Sequence, residues 1–162
     1  SLPEAGNEHV RQALLGIQNE NPQTLRLLAL NTKPSDIQNE FVTEMRFTFE
    51  PGKTLSSINP LADVQTIAAK IPGAAGAFRF EASAVTVTST SGGVQMGIIE
   101  ALSSFENAAG VNVPLYQNQA VFNTGKGLQT ITLTTLGDLK PSLLPLFDSM
   151  LQSVKIASIQ AQ

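Results

Sequence analysis

From Phe78 to Leu136 the chain reads as one succession of β-strands separated by short turns. Phe78, Phe80 and Ala82 alternate with polar neighbours, and the pattern resumes out of phase at Val85 and Val87. That slip predicts a bulge or turn near Ser83. Ser89-Thr90-Ser91-Gly92-Gly93 carries the small polar residues of a hairpin turn, and so does Asn123-Thr124-Gly125-Lys126-Gly127. Between these turns, Val94–Phe105 and Val113–Asn123 are strand-like, joined by a loop from Asn107 to Gly110. Leu128–Leu136 follows with Ile131 and Leu133 on its apolar face. Strands joined by such short turns pair antiparallel.

The flanking segments add two more strands and three helices. Phe41–Glu50 alternates cleanly, with Phe41, Thr43, Met45, Phe47 and Phe49 on one side. That is a half-buried antiparallel strand, stopped by Pro51-Gly52. Thr24–Asn31 is short and apolar; strand is preferred for Leu25–Leu30, with helix left open. Val10, Leu14 and Ile17 recur at helical spacing and predict a helix over about 7–20, capped by Asn7 and ended by Pro22. A second helix is read over Leu55–Lys70, with Asn59-Pro60 as cap and first turn. The last begins near Asp138 as cap, with Pro141 in its first turn. Its apolar face is Leu143, Leu146, Phe147, Met150, Leu151 and Val154, and Lys155 suits its C-terminal dipole. The fold class is α+β: an antiparallel sheet flanked by helices, one domain over residues 1–162. Residues 1–6 read as a flexible start and 158–162 as a frayed tail.

Composition narrows the function. Charged residues are 14% of the chain and the net charge is −3. The ten Lys and Arg are scattered, which argues against nucleic acid and against an anionic membrane surface. No apolar run is long enough to span a bilayer. Ser1–Glu8 shows no signal-peptide pattern, so any lipid anchor would lie outside this chain. Cysteine is absent, which removes disulfides, thiol nucleophiles and cysteine-held metals. No cofactor is expected.

Candidate chemistry is sparse. His9 is the single histidine, on the first helix, and reads as a solvated surface residue rather than the base of a triad. Glu44 and Arg46 share one strand face and read as a surface ion pair. Glu100 and Glu106 could form an acid–base pair only if the fold brought them into one cleft. Asp36, Asn39 and Glu40 lack calcium-loop spacing. Gly92-Gly93 and Gly125-Lys126-Gly127 lack the spacing of a phosphate loop. The strongest functional signal is Tyr116 with Gln117, Asn118 and Gln119. An amide-rich strand beside an aromatic ring suits a sugar or an extended peptide, or else it is an edge strand kept soluble without charge. Tyr116, Gln117, Gln119 and Phe122 are therefore the candidate binding residues, with no catalytic or metal-binding residue assigned. Phe47, Phe49, Phe78, Phe80, Phe122 and Phe147 could alternatively line an apolar pocket between sheet and helices.

The segment Phe41–Ile156 resembles the PsbP/Mog1-like α/β/α sandwich. The likeness lies in a strand entering a helix (Phe41–Glu50, then Leu55–Lys70) and a turn-punctuated meander through Val94–Ile98 and Val113–Phe122. It closes with Leu128–Thr135 and the terminal helix Leu143–Ile156. The resemblance implies an exported or lipid-anchored bacterial domain, hence an extracytoplasmic location. Better-known members are adaptors: extrinsic photosystem subunits and a small-GTPase-binding factor. It therefore implies a noncatalytic domain that binds a partner protein or a small ligand. The alternatives are a carrier of an apolar molecule and, less favoured, a hydrolase.

Overall fold

A computed structural model describes residues 23–31, 39, 41–71 and 78–156. The helix expected over 7–20, with His9, lies outside the described residues. So do Asp36, Glu40, the 73–77 loop and the 158–162 tail.

Six strands form one antiparallel sheet: β1 (Leu25–Leu30), β2 (Glu44–Pro51), β3 (Glu81–Ser89), β4 (Gln95–Glu106), β5 (Asn112–Asn123) and β6 (Gly127–Leu136). Helix α1 (Pro60–Ala68) follows β2, and helix α2 (Lys140–Gln152) follows β6 through a 3₁₀ turn at Gly137–Leu139. The sheet order is β1-β2-β6-β5-β4-β3. Strands β3 to β6 are a plain meander, because each turn between them is too short for anything but an adjacent antiparallel partner. Strand β6 then pairs with β2, with Phe47 opposite Ile131. The fold is thus α+β, and Leu25–Leu30 is a strand.

Period-two alternation divides the core between two faces. On one face α2 buries Phe147 and Leu151 against Met96, Ala120, Phe122, Ile131 and Leu133. On the other, α1 buries Val64 and Ala68 against Ile99, Val121 and Leu128. A third cluster, on the α1 side, joins Phe41, Phe80, Ala101, Val113, Leu115 and Leu136. At its margin the rings of Phe41, Phe78 and Phe105 lie 5.3 to 6.2 Å apart in tilted or edge-on contacts. Helix α1 can sit this close because β4 has no side chain at Gly97. A Cβ there would lie 2.1 Å from Val64 Cγ2.

The local signals explain the element ends. Asn59 caps α1, its Oδ1 accepting from Ala62 N at 3.4 Å, with Pro60 in the first turn. The regular helix therefore starts at Pro60 and not at Leu55, and Leu61 stays 40% exposed. The β3–β4 turn has Gly93 at φ 77°, a left-handed conformation that favours glycine. Buried Thr90 holds this turn: its Oγ1 accepts from Val94 N and donates to Val154 O. The expected bulge falls between Ala82 and Ala84.

Three expectations at the last helix are corrected. Asp138 lies in the 3₁₀ turn, and α2 has no side-chain cap. Leu146 is 67% exposed, because its turn points away from the sheet that Phe147 and Leu151 face. Lys155 lies beyond the end of α2 at Gln152, so no basic residue occupies its last turn.

Candidate functional site

Strand β5 is an interior strand, hydrogen-bonded to β4 on one side and β6 on the other. The edge-strand reading of Tyr116–Gln119 is therefore wrong. The six-stranded order becomes definite only when β6 pairs back onto β2, more than 70 residues earlier in the chain. With both backbone sides used, the amides of this strand are exposed only through its faces.

Alternation separates the four candidate residues. Tyr116 and Phe122 point to the α2 face and are 1% and 4% exposed. Phe122 is core, packed with Met96, Ile131 and Phe147. Gln117 and Gln119 point to the α1 face and are half-buried. A single face cannot use all four.

On the α2 face Tyr116 anchors a polar cluster. Asn118 Nδ2 donates to the Tyr116 hydroxyl oxygen at 3.2 Å. Lys140 Nζ lies 3.9 Å from the Tyr116 ring centre and 3.1 Å from Glu100 Oε2. Nearby Thr43 and Thr135, both buried, share a hydroxyl–hydroxyl bond of 2.8 Å. Burial pushes the Tyr116 phenol up to about 12. The hydrogen bond from Asn118 opposes this shift, and the neighbouring Glu100 carboxylate adds to it by charge and by hydrogen bond. Asp148 on α2 is also held above the usual carboxylate range, by burial and then by the charge of Glu100. Asn118 is 2% exposed, and among the described residues its Oδ1 has no hydrogen-bond partner. This cluster ties the start of α2 to the centre of the sheet.

The α1 face carries a different array. Gln119 Nε2 donates to Gln117 Oε1 at 2.6 Å, and Gln117 Nε2 donates to Thr134 Oγ1 at 3.2 Å. Across β6 the rows continue onto β2: Gln119 is level with Thr132 and Arg46, and Gln117 with Thr134 and Glu44. Arg46 grips Glu44 with two bonds, Nε to Oε1 at 2.9 Å and Nη2 to Oε2 at 3.2 Å. Their side chains are 29% and 16% exposed, so this pair is partly buried and not the surface pair expected. Six polar side chains thus form a patch of two rows by three strands in the middle of the sheet. Helix α1 sits chiefly over β3 and β4, to one side of it. Sequence reasoning missed Glu44, Arg46, Thr132 and Thr134 as companions of Gln117 and Gln119. The signal was their common parity along three strands, which becomes informative once β2, β6 and β5 are known to be neighbours.

The remaining candidates stay apart. Glu100 and Glu106 are six residues apart on one strand, roughly 20 Å at strand rise. Glu100 pairs with Lys140, and Glu106 is exposed at the far end of the ladder. Gly92 and Gly93 line a shallow cleft of about 280 Å³ with Leu55, Val94, Gln95, Asn123 and Ile156. None of the six phenylalanines considered as pocket lining reaches it; Phe49, for example, packs under the Arg26 guanidinium, 5.4 Å from its ring centre. Among the described residues no group of three or more His, Cys, Asp or Glu is placed to hold a metal. No helix among them is long and apolar enough to cross a membrane.

No family model and no curated protein matches this chain. Its fold is similar to that of PA94 from Pseudomonas aeruginosa, a protein of unknown function described as a putative regulator. The two align with a TM-score of 0.57 over 86% of this chain and 88% of that one, at 12% identity. At that identity the likeness extends to the fold alone.

Proposed function

We propose that this chain is a noncatalytic binding domain that recognises a partner protein or a small ligand through the polar patch on its α1 face. The observation that carries this reading is the Gln119–Gln117–Thr134 hydrogen-bonded row at the centre of the sheet. An antiparallel sheet can leave positions on one face open to solvent and polar. Here two amides, two threonines and an ion pair occupy them, and most remain partly accessible. Amides and hydroxyls both donate and accept, so they match a ligand rich in amide or hydroxyl groups, such as a polypeptide main chain or a sugar. The PsbP/Mog1-like resemblance supports an adaptor role and an extracytoplasmic location, and both belong to this proposal.

The test is affinity capture from cells of the source organism, with the whole chain as bait, beside a Gln117→Ala/Gln119→Ala variant. Both substitutions are on the partly accessible face and leave the Tyr116 side untouched. A protein or small molecule retained by the parent and lost by the variant supports the reading. Identical recovery by both, or none by either, contradicts it.

A further inference from the structure

Strand β3 closes one side of the sheet, and among the described residues it is hydrogen-bonded to β4 only. Its outer edge therefore presents alternate backbone N–H and C=O groups without strand partners, the chemistry that an added strand satisfies. Proteins usually protect such an edge with Lys, Pro or a bulge. Here the bulge lies at its start, between Ala82 and Ala84, and Ala84–Ser89 runs on in regular register. Those six residues, Ala-Val-Thr-Val-Thr-Ser, include no charge, no proline and no glycine. Ala84, Thr86 and Thr88 are exposed and small, so another backbone can approach closely.

We infer that β3 pairs antiparallel with β3 of a second copy about a two-fold axis near Thr86. The segment matches itself in this arrangement. Val85 of one copy lies opposite Val87 of the other on the α1 face, and Ala84 lies opposite Thr88 on the other face, so branched apolar side chains meet on one side and small ones on the other. The charge pattern selects this direction. Glu81 and Arg79 lie before the regular segment, so antiparallel pairing sends the two copies of each to opposite ends of the ladder. Parallel pairing would set Glu81 beside Glu81. A two-fold axis perpendicular to the sheet also places both α1 helices on one side. There Leu61, 40% exposed on the helix that packs over β3, sits on the same side as its counterpart. The product is one continuous sheet made from two six-stranded sheets.

Sedimentation of the whole chain over a concentration series tests this, with two sets of variants. The parent is expected to associate to a dimer. Thr86→Lys/Thr88→Lys sets like charges against each other at the axis and weakens association by about tenfold or more, with an unchanged far-UV circular dichroism spectrum. Because the chain has no native cysteine, Thr86→Cys gives a second readout that does not depend on the lysine variant folding. Mild oxidation should convert Thr86→Cys to a covalent dimer, while Ser149→Cys on exposed α2 forms no covalent dimer. A parent that remains monomeric at high concentration overturns the inference. So does a dimer that the lysines leave intact, or equal cross-linking from positions 86 and 149. The outcome is independent of the polar-patch reading, which concerns a different surface.

Discussion

The Lys140 ammonium lies 3.9 Å from the centre of the Tyr116 ring while its Nζ reaches Glu100 at 3.1 Å, so one side chain joins the first turn of α2 to two neighbouring strands. A cation over a ring contributes about 0.5–2 kcal/mol according to its exposure. Lys140 and Glu100 are each about one-third exposed, so solvent screening keeps the ion pair at the low end of its range. Lys140→Met should therefore cost on the order of 1 kcal/mol, read as a fall in Tm of about 2–4 °C. A double-mutant cycle with Glu100→Gln should show coupling between the two. Additive effects would mean that the contact is incidental.

The phenol of Tyr116 supplies a spectroscopic prediction. The chain has one tyrosine and no tryptophan, so phenolate absorbance reports on this residue alone. Folding raises its pKa from 10.0 to about 12. The unfolded state therefore loses its proton first as pH rises. The stabilisation linked to this proton is complete below pH 10, falls between 10 and 12, and is gone above the folded value. A shift of this size corresponds to roughly 2–3 kcal/mol. Titration followed near the phenolate band should show little ionisation of the native chain at pH 10 and an abrupt rise when it unfolds. A smooth curve centred on the ordinary tyrosine value would show that the hydroxyl is not sealed.

Asp148 has the same sign as Tyr116 but acts in the acid range. Its carboxyl is held above the usual range in the fold, so its charge opposes folding at neutral pH and that penalty disappears as the group is protonated in acid. Asp148→Asn should raise the Tm slightly at pH 7 and leave it nearly unchanged at low pH. A lower Tm at pH 7 would mean that the carboxylate makes a stabilising contact.

Gly97 sets the distance between α1 and the sheet. Gly97→Ala puts a methyl group into Val64 and should destabilise the fold by about 1–3 kcal/mol, measured by urea unfolding. Val64→Ala removes the obstructing methyls and leaves a cavity when made alone. The double variant should be less destabilised than the sum of the two. A simple sum would place the conflict elsewhere.

Much of the architecture is legible in the sequence because its signals are local. The Gly92-Gly93 turn, the bulge after Ala82, the Asn59-Pro60 helix start and the Phe41–Phe49 alternation each depend on a few neighbouring residues. The candidate site is less legible because its contacts are distant in sequence. Gln117 meets Thr134 across a turn, and the patch is completed by Glu44 and Arg46 from a strand more than 70 residues away. Strict alternation separates Tyr116 and Phe122 from Gln117 and Gln119. Grouping the four by composition crossed that boundary. The interior position of β5 follows from its two short turns, to β4 and to β6, whereas the return pairing of β6 onto β2, which brings Glu44 and Arg46 to the patch, is encoded by no local pattern. Lys140, Glu100 and Tyr116 are likewise joined only by the packing of α2 on the sheet.

The face proposed to meet the ligand is that of Gln117 and Gln119. A photoreactive amino acid placed at position 119 in the whole chain, irradiated in cells of the source organism and followed by mass spectrometry, tests this most directly. A discrete adduct of protein or small-molecule mass is expected from position 119, and none from the same group at exposed Lys53. No adduct from position 119, or the same adducts from both positions, would contradict it.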